Sequence, residues 1–149
     1  VSWSIIGICV FVFLWQVSLG AEGHRAVLSL GLIPSNLLGT RVLPPELAVI
    51  PAWASLMTSM FMHGGWMHLI GNMGYLWVFG NNVEDAMGHK RFIAFYLLSG
   101  LGAAAGQILA DPSSTVPMIG ASGAISGVLG ANLLLYPHAR VTYCCGSAF

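Results

Sequence analysis

An all-α, polytopic membrane helix bundle is the fold class this sequence predicts, and three observations carry the prediction. The 149 residues are 56% hydrophobic and only 7% charged, against about 25% charged in a typical soluble domain, and the mean hydropathy is +0.80. Four apolar stretches approach the roughly 17–25 residues that a membrane helix needs. Nineteen glycines suit helices that pack closely where lipid supplies no hydrophobic drive between them. The formal net charge is zero, so no nucleic-acid surface is indicated. Cys9, Cys144 and Cys145 make neither a disulfide framework nor a zinc or C-x-x-C motif.

The first stretch, residues 3–19, carries Trp3 and Trp15 near its two ends, as interfacial aromatics often lie. No basic region precedes it, so a signal peptide is not expected and Val1 reads as an internal start. Residues 21–62 are broken by Pro34, Pro44, Pro45 and Pro51 yet hold apolar groups such as AVLSLGLI. They read as an interfacial loop of short helices lying partly in the headgroup layer. The second stretch covers residues 66–80, the third residues 92–110 and the fourth residues 119–136. Lys90 and Arg91 sit between the second and third, Arg140 follows the fourth, and no basic residue lies between the third and fourth. Positive charge collects on the cytoplasmic side. Both ends are therefore expected inside, with Arg25 and Arg41 in the long outer loop and Ser122 near the outer face.

Polar side chains at membrane depth are functional candidates. The second stretch, HGGWMHLIGNMGYLWVFG, holds His63, His68 and Asn72. His68 and Asn72 are four apart and share a helix face, from which both can donate to one point, as a developing oxyanion requires. They also fit a structural role, because such residues bond across helices at about 0.6–2 kcal/mol each. A metal site has less support: there is no H-E-x-x-H, and Gly64 and Gly65 interrupt the spacing from His63 to His68. The fourth stretch opens MIGASGAISGVLGANLLLYP. There Ser122 is either packing filler beside the small ridge of Gly120, Gly123 and Gly127, or a nucleophile given room by small neighbours and flanked by free helix-start N–H groups.

Taken together, HGGWMHLIGN, FGNNVEDAMGHKRF and GASGAISGVLGA resemble the rhomboid intramembrane serine proteases in order and approximate spacing, over the chain to about Val141. The resemblance implies Ser122 as the nucleophile of G-x-S-G, His68 and Asn72 as the residues that stabilise the oxyanion, and His63 as structural. Gly120 and Gly123 would support the site, and Glu84 would hold helix ends together. No cofactor or metal is implied. The partners would be transmembrane protein substrates and the lipid bilayer, with the chain a multi-pass protein of a prokaryotic plasma membrane.

The family's general base is a histidine in a later A-H-x-x-G helix, and none of His24, His63, His68, His89 and His138 matches it. His138 lies about 24 Å of helix from Ser122 at 1.5 Å per residue. Residues 1–149 are thus expected to form a partial rhomboid domain of four spans, a truncated chain inactive alone. The alternatives are a catalytically inactive rhomboid-like protein that binds or escorts membrane clients and, with less support, a transporter or channel fragment.

The charge pattern makes the topology testable with single-cysteine variants and a membrane-impermeant maleimide on intact cells. Position 114 should label and position 90 should not; the reverse contradicts the orientation.

Overall fold

The computed structural model describes residues 1–137; His138, Arg140, Val141, Cys144 and Cys145 lie outside the described residues. Eight α-helices follow in order: α1 (Ser2–Ser18), α2 (Gly23–Leu30), α3 (Pro34–Leu37), α4 (Ser55–Thr58), α5 (Trp66–Tyr75), α6 (Asn81–Met87), α7 (His89–Ala110) and α8 (Ser122–Leu135). Each long helix is apolar around most of its circumference but buries one stripe. In α1 the stripe is Ile5, Cys9, Phe13 and Gln16, and in α7 it is Phe92, Tyr96, Gly100 and Ala104. Four-residue steps keep such positions on one face. The opposite faces leave large apolar side chains uncovered, Phe11 at 72% exposure and Leu134 at 85% among them. A helix apolar on both faces belongs in lipid or in a deep core.

The second expected span runs further than the hydropathy suggests. A π-helical turn over Leu76–Gly80 joins α5 to α6, and the run stops at Gly88, whose φ of 81° is open to glycine and costly for other residues. The third helix accordingly begins at His89 rather than near residue 92. The fourth begins at Ser122 rather than near 119, because Gly120 at φ 114° interrupts it. Among the described residues α7, with 22 residues, is long and apolar enough to cross a membrane by length and composition, while α1 and α8 are shorter apolar helices.

The short α8 has a positional consequence. At 1.5 Å per residue its 14 residues reach about 21 Å, roughly 9 Å less than a bilayer core. Its Leu135 end is tied to α6 by the Tyr136 hydroxyl, which donates to the Asn82 carbonyl at 3.3 Å. The short helix is thus anchored at its Leu135 end, opposite Ser122.

Near that same Leu135 end, the buried Glu84 carboxylate joins three elements. Its Oε2 accepts the Ser2 N–H and the Ser2 hydroxyl, each at 2.7 Å. Its Oε1 lies 2.6 Å from the Val1 nitrogen and 2.6 Å from Nδ1 of His89. The starts of α1 and α7 are thus bound to α6. Polar groups in an apolar setting are costly to leave unpaired.

Glu84→Ala removes the common acceptor of α1 and α7. The variant should lose about 2–3 kcal/mol of unfolding free energy in detergent micelles, the value of charged hydrogen bonds and orphaned donors. A change below about 0.5 kcal/mol would show that the carboxylate is not what binds the three elements.

Candidate active site

The segment ahead of Ser122 is extended, and other parts of the chain pair its backbone. The Leu32 N–H donates to the Met118 carbonyl at 3.0 Å and the Met118 N–H returns a bond to Leu32 at 2.7 Å. Ser35 donates to Ser114 at 3.1 Å, and the Gly120 N–H donates to the Ser59 carbonyl at 2.9 Å. Gly31 makes the close approach possible: a Cβ there would stand 3.0 Å from Cβ of Pro117 and 3.1 Å from Cγ2 of Ile119. The segment ends at Gly120, and α8 starts with Ser122 as its first residue. The N–H groups of a helix's first turn have no helical carbonyl to serve. Ser122 itself is exposed, and its carbonyl accepts the Ser126 hydroxyl at 2.8 Å.

Helix α5 brings His68 and Asn72 against this turn. A Cβ on Gly120 would lie 2.7 Å from both Cε1 and Nε2 of His68 and 3.6 Å from Nδ2 of Asn72. The Gly64 N–H donates to Nδ1 of His68 at 3.3 Å, so this nitrogen is the acceptor and the imidazole proton belongs on Nε2. The buried Asn72 Nδ2 has no hydrogen-bond partner among the described residues. The His68 ring and the Asn72 amide therefore both pack against the turn at Gly120, where a side chain would run into the imidazole. Asn72 and Ser122 also line one cavity of about 220 Å³ together with Tyr75, Ile125 and Ser126. The chemistry open to such a place is acceptance of a negatively charged oxygen beside a hydroxyl nucleophile.

His63 sits behind His68, their ring centroids 5.2 Å apart and nearly edge-on. It is fully buried, with Nδ1 at 3.2 Å from the Phe61 carbonyl. Glu84 lies away from this turn, at the α1, α6 and α7 junction described above.

Gln16 supports the site although no motif marks it. Its amide donates to the His63 carbonyl at 2.8 Å from within α1, tying the first helix to the turn that carries Gly64. The signal was present, a polar side chain inside an apolar stretch, the same criterion that marked Asn72. Ser59 was also missed; it acts through its backbone carbonyl, which no residue pattern reveals.

A family model described as the rhomboid domain matches residues 51–147. RHOMBOID-like protein 5 of Arabidopsis thaliana is 40% identical over 78 residues, 52% of this chain and 25% of the plant protein. Rhomboid-like protein 11, chloroplastic, of the same plant is 36% identical over 85 residues, 57% of this chain and 30% of the relative. Rhomboid protease GluP of Bacillus subtilis (strain 168) is 43% identical over 84 residues, 56% of this chain and 16% of that protein. The matches thus span less than a third of the length of any of these relatives.

Gly120→Ala forces a left-handed backbone on a β-carbon and drives that carbon into the His68 ring. It should cost at least about 2 kcal/mol of stability. Comparison of melting in detergent checks this, with Gly130→Ala as control, since nothing lies within 4 Å of a Cβ there. Equal effects at the two glycines would contradict the close approach.

Proposed function

Since this chain belongs to the rhomboid family, whose members are integral membrane proteins, we propose that residues 1–149 supply the nucleophile and the oxyanion side of an intramembrane serine endopeptidase that cleaves transmembrane segments. The observation that carries the reading is the packing of the His68 ring and the Asn72 amide against Gly120, two residues before Ser122.

In the proposed reaction Oγ of Ser122 attacks a peptide carbonyl of the substrate while a histidine base takes its proton. The carbonyl oxygen becomes an oxyanion held by His68, Asn72 and the free N–H groups at the start of α8. Collapse of the tetrahedral intermediate expels the amine, which receives the proton back. Water then attacks the acyl-enzyme by the same base catalysis and releases the acid. Because A-H-x-x-G occurs nowhere among the five histidines of this sequence, the base in this proposal comes from residues other than these. The same observation favours a second reading, a rhomboid-like protein that binds or escorts membrane clients without cutting them. The host membrane in the first reading is a prokaryotic plasma membrane, supported by the Bacillus relative; the Arabidopsis relative named chloroplastic makes an organellar membrane the competing case.

The test co-expresses residues 1–149 with a separate two-span piece of a relative that carries the A-H-x-x-G helix, and follows cleavage of a transmembrane substrate. Cleavage is expected only with both pieces. It should be abolished by Ser122→Ala and reduced about 10²–10³-fold in kcat by Asn72→Ala, the effect of losing one oxyanion donor. Cleavage by residues 1–149 alone, or cleavage that survives Ser122→Ala, contradicts the proposal. Client binding without any cleavage supports the second reading.

A further inference from the structure

Ser122 also lines a second cavity of about 220 Å³, and Met60, Gly100, Ala103, Ala104 and Gly123 are among its walls. Leu32, Leu56, Gln107, Met118 and Ile119 are larger parts of the same wall, and Met60 stands apart from them by its contact with α7. Its side chain is buried and is laid against the α7 backbone at Gly100, where a Cβ would stand 2.3 Å from its Cε and 2.9 Å from its Sδ. The same Cβ would be 3.5 Å from Cβ of Ala124, so α8 closes the far side and offers the thioether no retreat in that direction. An unbranched, flexible methionine is the side chain best able to shift when a neighbour is filled.

We infer that Met60 is the adjustable wall of the cavity beside Ser122, and that its packing on Gly100 sets the size of the substrate side chain adjoining the scissile carbonyl. The inference rests on the protease reading above and names a specificity-determining residue for it. With glycine at position 100 the thioether lies flat on α7 and the cavity stays open. A methyl group at position 100 takes the place of Cε and turns the thioether into the cavity. Truncation of Met60 enlarges the same space.

Two measurements test this on Met60→Ala, Gly100→Ala and the double variant. In the first, residues 1–149 carry Cys9→Ala, Cys144→Ser, Cys145→Ser and Ala104→Cys. The new thiol, on the cavity wall, is labelled in detergent with methyl and benzyl methanethiosulfonate. Met60→Ala should raise the benzyl-to-methyl rate ratio about tenfold, the usual order for a few carbon atoms of room in an apolar pocket. Gly100→Ala should lower it, and the double variant should return it to within about threefold of the parent. In the second, the two-piece assembly is given substrates with alanine or leucine before the cleaved bond, and the ratio of kcat/KM should move in the same directions.

A labelling ratio unchanged within twofold in Met60→Ala overturns the inference; that variant decides alone if Gly100→Ala does not fold. Shifted labelling with unshifted substrate preference in an active assembly also overturns it, by separating the cavity from the substrate. No cleavage by the parent assembly, with labelling shifted, rejects the protease reading and the substrate assignment with it, while Met60 is upheld as the wall.

Discussion

A backbone that leaves the helical state inside an apolar molecule has to find hydrogen bonds elsewhere, because lipid offers none. The extended segment ahead of Ser122 is where this chain meets that constraint. Its carbonyls and N–H groups are taken up by Ser35, Leu32 and Ser59, all drawn from the proline-broken stretch between α1 and α5. The stretch is held in turn: the Thr58 hydroxyl donates to the Leu30 carbonyl at 2.6 Å. The proline-broken stretch is therefore the partner that lets α8 begin late, with a serine at its first position.

A late start is useful only if something faces it, and the small residues make that approach possible. Gly120 admits the His68 ring and the Asn72 amide. Further along, a Cβ on Gly123 would stand 2.6 Å from Cβ of Ala103, and one on Gly127 would stand 2.3 Å from Oγ of Ser99, so α8 lies directly on α7. Gly123 and Gly127 thus serve helix packing, while Gly120 lies against the polar side chains of α5. At the opposite end Glu84 keeps the starts of α1 and α7 with α6. Gln16 then links α1 to the His63 turn.

Much of this was legible in the residues. Ser122, His68 and Asn72 stood out because polarity is expensive in apolar sequence, and hydropathy located the long helices. The ends of those helices were not legible. Gly88 ends one helix and Gly120 precedes another, both at positive φ, whereas Gly130 sits inside α8 with open space beside it; composition does not separate the cases. Residues 81–87 stay helical although polar, because Glu84 finds its partners in α1 and α7, far away in sequence. The late start of α8 depends on main-chain bonds to Leu32 and Ser59, and such bonds leave no mark on residue type. Met60 was invisible for a similar reason: a methionine in a loop has meaning only once Gly100 is seen beneath it.

Which nitrogen of His68 carries the proton decides whether α5 offers a donor to the turn before Ser122. Nitrogen NMR of residues 1–149 with labelled histidine, at about pH 8 in detergent, measures it directly. The expected His68 ring carries the proton on Nε2 and accepts from Gly64 at Nδ1, with the assignment made by His68→Gln. A His68 protonated on Nδ1 would point a lone pair at Gly120 instead, and would contradict an oxyanion-accepting turn.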